Sequence, residues 1–487
     1  MKIGYPVIAA VVLFSRVAAA ESVSGAPASL AGYRNGSFTL RDEKENFVIS
    51  PSGFFQMDHL SYWGPGIGDT ALKPTFAFRR VRLSLAGQFL KRWDFRIEFE
   101  MGRTALDNTS GRADEPVAAP PGVQPTPATA QYAPAQTVKT HAQLAVMFLN
   151  YKIAPALNIR IGQLPPGFTM EQMTLPQYYP FMEKALATRV MGQQVYYAVD
   201  PEINVWGVLG NDLLTYYVAY GNGAGVNRLN TDGRGDISAR VYARPFSGRT
   251  DLGPMRELQF GGSVIYGSRD PLWTYYDYNP MTTGANYLFW RPTYTNSIVG
   301  RTVHVIPAHD QWGLAAELRV PVDRFDFQGE FVYLDNGTRE VVEGYQNQDP
   351  TAAPGTLGFG RMRGMGYYIF GGVWLFGPRT PSKDHANTDG ALQLMLRWEQ
   401  MNLKYEGYSR TSSTTSTGAP AFTGKGPYDG NIRVNALTYG AHYWATKHIR
   451  VSGQWTTYVF PEVAIPTSPL APRHTLHELM FRGQVYF

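Results

Sequence analysis

The chain contains no cysteine, which removes disulfides, thiolate metal sites and cysteine nucleophiles together. Charged residues make up only 17%, against roughly 25% in ordinary soluble domains. No uncharged apolar run reaches the roughly 18 residues that a membrane-spanning helix needs, which excludes a helical membrane protein. G-x-S-x-G, H-E-x-x-H and phosphate-cradling P-loop motifs are also missing, and with them the common sequence marks of hydrolases, zinc proteases and nucleotide enzymes. His304, His309 and Asp310 lie close together, but their spacing matches no metal motif. No enzyme activity, cofactor or metal is expected.

What the sequence does contain is aromatic and alternating. Aromatics are 14%, including 30 tyrosines and 10 tryptophans, and the chain is 487 residues long. Mean hydropathy is −0.25. In the stretch 75–101, Asp94, Arg96, Glu98 and Glu100 fall on one side of a strand, while Phe95, Ile97, Phe99 and Met101 fall on the other. Val81, Leu83, Leu85 and Phe89 likewise oppose Arg82, Ser84 and Gln88. A period of two marks a strand with one apolar and one polar face. The short link around Lys91 and Arg92 makes the two halves an antiparallel hairpin.

Such segments recur from 47–62 to 475–487, about sixteen in all. In 324–333, Asp326, Gln328 and Glu330 oppose Phe325, Phe327 and Phe331. In 391–399, Gln393, Arg397 and Glu399 oppose Leu392, Leu394, Leu396 and Trp398. In 448–456, Arg450, Ser452, Gln454 and Thr456 oppose Ile449, Val451 and Trp455. Short links alternate with long ones, as in outer-membrane barrels. A small barrel with a packed apolar interior would bury these charges; a water-filled lumen with a lipid-facing exterior would not. The expected fold is therefore all-β: a transmembrane antiparallel barrel of about sixteen strands, in one domain over 47–487.

Residues 1–20, with Lys2, an apolar stretch and Ala18-Ala19-Ala20, read as a secretory signal peptide, and 21–46 as a periplasmic leader. Removing 1–20 takes away Lys2 and Arg16, leaving 44 − 2 = 42 basic against 39 acidic residues, a net +3. That small excess gives no sign of a nucleic-acid partner. The Pro/Ala-rich segment 104–138 reads as an external loop. The segment 165–190 is long for a turn and interrupted by prolines, and reads as a constriction loop folded into the lumen, carrying Glu171, Glu183, Lys184 and Arg189. An ordinary surface loop is the alternative. The terminal Phe487 on an amphipathic strand is similar to the assembly signal of bacterial outer-membrane proteins.

The strand FAFRRVRLSLAGQF at 76–89, IRIGQLPPGFTMEQMT at 159–174, DQWGLAAELRV at 310–320, GYYIFGGVWLFGPR at 366–379 and ELMFRGQVYF at 478–487 together resemble the phosphate-selective porins O and P of Gram-negative outer membranes. The resemblance implies a sixteen-stranded barrel, a homotrimer, inward-folded loops and an arginine ladder that passes anions. It implies that Arg79 and Arg80 are the paired constriction arginines and that Arg240 is a further rung. The chain departs from the family at Gln163, where an arginine is expected, and it lacks a clear external lysine cluster.

The residues fit that chemistry. Arg80 and Arg82 lie two apart on one face, and Arg240 and Arg244 four apart. The planar guanidinium offers paired donors to oxyanions and stays charged. Arg79 breaks strict alternation, so either a bulge turns it inward or it sits near a rim. The expectation is passive passage of small inorganic anions, with phosphate or polyphosphate as candidate, across the outer-membrane lipid. A general or sugar-type porin of the same fold is a second reading, and a plugged, non-conducting structural barrel a third.

Overall fold

The computed structural model describes residues 30–34, 37–64, 74–102, 142–192, 199–226, 230, 233–269, 281–285, 288–290, 293–296, 301–342, 356–379, 390–414, 420–425, 430–463 and 474–487. The expected signal peptide and the Pro/Ala-rich loop 104–138 lie outside these residues.

Sixteen antiparallel strands close into a barrel. They are β1 (Phe47–Trp63), β2 (Thr75–Phe89), β3 (Trp93–Glu100), β4 (Gln143–Ala154), β5 (Leu157–Leu164), β6 (Asp200–Leu209), β7 (Leu214–Gly221) and β8 (Asp236–Ala243). They continue as β9 (Gln259–Arg269), β10 (Arg301–Val322), β11 (Phe325–Val342), β12 (Thr356–Phe376), β13 (Ala391–Thr414), β14 (Gly430–Trp444), β15 (Ile449–Val463) and β16 (His474–Tyr486). Each pairs with its neighbour in sequence, and β16 closes on β1 from His477↔Trp63 to Tyr486↔Phe54. The hairpin read at 75–101 is β2–β3, in register from Arg82↔Glu100 to Phe89↔Trp93.

The alternating faces separate as the period of two requires. Phe327, Leu396, Trp398 and Phe481 are exposed on the outside, whereas Glu330, Arg397, Glu399 and Arg482 are buried inside. An apolar exterior of this extent is stable against lipid and costly against water. Among the described residues no helix is long and apolar enough to cross a membrane; the strands cross it.

Strands β10 to β13 run to 22, 18, 21 and 24 residues, and β11 and β13 extend well past the alternating stretches read at 324–333 and 391–399. A bilayer needs only about 9–11 tilted residues. Beyond it the outward positions meet water, so the apolar half of the pattern stops while backbone pairing continues. Arg361 and Arg363, which bracket Asp335, illustrate this. A further hairpin, Ala31–Arg34 with Ser37–Arg41, pairs through Leu40 and Arg41 with the start of β1.

The inner wall also changes along its length. Towards the long-loop end, Val332, Leu334, Met362, Met401, Leu403, Val434 and Tyr458 form one apolar cluster with Leu186, Ala187, Val190 and Met191. The last four belong to the segment after β5, so part of the interior is packed rather than open.

Candidate functional site

The site begins with a local irregularity in β2. Gln56 of β1 stands opposite Arg80, but Met57 stands opposite Phe78, so Arg79 is an extra residue: a β-bulge. Before it Phe76 and Phe78 face outward; after it Leu83 and Leu85 do. The bulge switches the parity of the strand, and consecutive arginines both reach the lumen. Of the two placements left open for Arg79, the inward one holds. Arg79 Nε and Nη2 donate to the Glu183 carboxylate at 2.9 and 3.2 Å. Arg80 Nη2 donates to the same carboxylate at 3.3 Å, and its Nη1 to Gln56 Oε1 at 2.7 Å.

Glu183 lies on the segment 165–190, which folds into the barrel. A one-turn helix, Met170–Met173, starts it, capped by the Thr169 side chain, which accepts from Gln172 N at 3.2 Å. The Glu171 backbone N–H donates to Glu330 of β11 at 2.9 Å. Further on, Met182 N donates to Gln454 of β15 (3.0 Å), Leu186 N to Glu399 of β13 (2.6 Å) and Arg397 of β13 to the Glu183 carbonyl (3.0 Å). Gln484 of β16 donates to the Gln177 carbonyl at 3.3 Å. These wall residues all lie on inward faces, so the segment crosses the lumen from β5 to the opposite strands. At Gly366 of β12 an added Cβ would lie 2.6 Å from Met191 Sδ and 3.3 Å from Ala187; wall and segment meet there without room for a side chain.

A second arginine pair joins from the end of the chain. Arg482 of β16 donates through Nε and Nη2 to both Asp58 oxygens of β1 at 2.6 and 2.7 Å, and through Nη2 to Glu183 at 2.8 Å. Arg450 of β15 donates to Gln484 Oε1 at 2.8 Å and to the Tyr179 carbonyl at 3.3 Å; among the described residues it has no carboxylate partner. Gln56 Nε2 completes the row by donating to Gln484 Oε1 at 2.9 Å. Among the described residues, counting Arg80, Arg450 and Arg482 against Asp58 and Glu183 gives 3 − 2 = +1. Burial alone would raise the Glu183 carboxyl, but Arg79, Arg80 and Arg482 outweigh it and hold the group well below the usual carboxylate range. Glu171, also buried, is instead shifted upward, because Arg397 and the Ala185 N–H only partly offset its desolvation.

The other sequence candidates are placed separately. Arg82 is held by Glu98 at 3.0 Å and by Glu100. Arg240 makes a bidentate pair with Glu317 at 2.7 and 2.8 Å. Arg244 donates to Gln259 at 3.2 Å and lies over the Tyr242 ring. Lys184 donates to Gln172 and lies over the Tyr179 ring, and Arg189 donates to Thr282. Arg482, Arg450 and Asp58 were not singled out by the sequence. The usable signal was closure itself: a closed barrel puts the last strand beside the first, antiparallel when the number is even, and Arg482 and Asp58 both sit on inward faces. Among the described residues no group of three potential metal ligands comes together.

Residues 56–252 match the family model described as phosphate-selective porin O and P. Over that stretch the resemblance read from the sequence holds. Among solved structures, the trimer form of OmpT from Vibrio cholerae is 8% identical, covering 91% of this chain and 99% of its own, with a TM-score of 0.47. The outer-membrane channel DcaP of Acinetobacter baumannii is 11% identical, with 92% and 99% covered and a TM-score of 0.47. An anion-selective porin from Comamonas acidovorans is 8% identical, with 91% and 100% covered and a TM-score of 0.42. No curated protein sequence matches the chain.

Proposed function

We propose that this chain, a porin of the Gram-negative outer membrane by its barrel and its family match, passes small anions by passive diffusion past the guanidinium row at its inward-folded segment. Phosphate or polyphosphate is the candidate solute, and a homotrimer the candidate assembly, both as the family resemblance implies. Residues 165–190 serve as the constriction loop. The observation that carries the reading is that Arg80 and Arg482 share the two carboxylates Glu183 and Asp58, while Arg450 beside them has no carboxylate partner among the described residues. A surplus of fixed positive charge beside the narrowed lumen raises the local anion concentration. Side-by-side guanidiniums replace the anion's hydration at several weak sites, which conduction requires more than one tight site.

The mixed wall elsewhere supports the same location. Arg82, Arg96 and Arg240 are matched by Glu98, Glu100 and Glu317, so bulk selectivity along the wall is weak and the preference falls to the surplus region. The deciding experiment is single-channel recording in a planar bilayer under a chloride gradient, with phosphate then added. A reversal potential set by the anion, a chloride current blocked by phosphate, and loss of that block in Arg80→Ala support the reading. Equal passage of cation and anion ends it. Sedimentation of the detergent-solubilised protein tests the homotrimer.

A further inference from the structure

Beside the guanidinium row the lumen has a half-open cavity of about 60 Å³. It lies between the inward-folded segment, at Tyr178–Pro180, and the inner wall of β10 to β15. Its lining is unlike the rest of the charged wall: Tyr178, Phe370, Trp374 and Trp444 surround Arg450 and His442. Tyr178 stacks on Trp444 at 6.5 Å between ring centres and 22° between planes. The Arg450 guanidinium lies over the Trp444 ring at 5.0 Å. Arg450 is 1% exposed, and its Nε–H has no partner among the described residues. His442 is 2% exposed; its Nε2 lies 2.9 Å from the Pro180 carbonyl while its Nδ1 has no partner among the described residues.

Two features select the ligand. The first is charge. Arg319 and Arg450 face Asp326 in the lining; with Arg379, which also pairs with Asp326, and Glu257, which pairs with Arg319 at 3.4 Å, the balance is 3 − 2 = +1, and Trp374 Nε1 donates to Asp326 at 2.9 Å. One negative charge neutralises the cavity; a second would stand near the Asp326 carboxylate without a partner. The second is the apolar surface. Aromatic faces desolvate whatever lies against them, which suits a flat apolar group and disfavours a fully hydrated oxyanion. At about 30 Å³ per water the cavity has room for roughly two waters, which is the size of a carboxylate group with its attached carbon. The rest of the ligand would lie along Tyr178 and Trp374.

We propose that this cavity is a subsite for a monocarboxylate carrying a flat apolar body, an aromatic acid of the benzoate type. Arg450, over the Trp444 ring, holds the carboxylate, and the ligand's ring lies along Tyr178 and Trp374. The inference rests on the reading of the chain as an anion-preferring pore, since it names a solute class for that pore. No covalent step is involved.

The test uses the full-length protein in a planar bilayer. Chloride current is recorded while benzoate is titrated, with acetate as the anion that lacks a ring. The expected result is half-block by benzoate at a concentration about tenfold or more below that for acetate, lost in Arg450→Gln and in Trp444→Leu. The two variants keep the test decisive if one fails to fold. Block by benzoate no stronger than by acetate overturns the subsite. An anion-set reversal potential in the same records shows the pore reading standing without it. Should the pore show no anion preference, tryptophan fluorescence of the detergent-solubilised barrel decides for the subsite alone. A saturable benzoate response that Arg450→Gln abolishes supports it, and no saturable response overturns it.

Discussion

Two groups of arginines line the same barrel and differ in their partners. On the wall of β8 to β10, Arg240 meets Glu317 and Arg269 meets Asp236, each in a close two-toothed pair. Around Glu183, by contrast, Arg79, Arg80 and Arg482 share one carboxylate, Arg482 also takes Asp58, and Arg450 stands beside them with only amide and carbonyl hydrogen-bond partners among the described residues. The first group is neutral and holds strands in place. The second keeps positive charge and holds a loop in place. An inward arginine is therefore not by itself an anion site; what matters is whether the wall also supplies its counter-charge. The same Glu183 that fastens the segment occupies part of the positive row, so the loop's position and the pore's charge are coupled.

The largest expected effect breaks the second group. Removing one partner from a buried ionic cluster costs about 3–5 kcal/mol. Glu183→Gln should lower unfolding stability by that order, loosen segment 165–190 and raise single-channel conductance together with anion preference. Unchanged conductance would separate the loop from the pore. Arg482→Gln leaves Asp58 buried without its bidentate donor, so it should cost a similar amount in denaturant unfolding while reducing anion preference. The opposite signs on selectivity of these two variants are the sharpest check on the coupling.

Arg240→Gln probes the balanced group. It should destabilise the barrel, because among the described residues Glu317 then keeps only Gln259, at 2.7 Å, of its present donors, yet leave phosphate block nearly unchanged. A loss of block as large as that of Arg80→Ala, about tenfold, would erase the distinction between the two groups. A pH series gives a smaller effect. Glu183 has its folded pKa held below the ordinary 4.5, so its contribution is present above the unfolded pKa and lost as pH falls through the lower folded value. Conductance measured from neutral pH down to 4.5 should show no opening assignable to Glu183. The smallest effect belongs to the exposed Arg249–Asp251 pair: Arg249→Ala should leave both stability and current unchanged.

Much of the barrel was legible in the chain, because alternation is a local property that needs no knowledge of partners. The faces of β3, β11, β13 and β15 follow from the period of two, and so does the anomaly at Arg79, whose resolution required only one extra residue. The segment 165–190 stood out by length and proline content. Its path did not, because its contacts are with strands far along the chain: Arg482 and Glu183 are separated by 299 positions, and Arg482 and Asp58 by 424. Pairing of charges depends on strand register, and register on closure of the ring, neither of which a single strand encodes. The sequence by itself determined that this is a lipid-facing barrel with a charged interior, since every strand carries its own two faces. Only the tertiary structure decided which arginines are neutralised and which are not, because counter-charges arrive from strands and a loop brought together when the barrel closes.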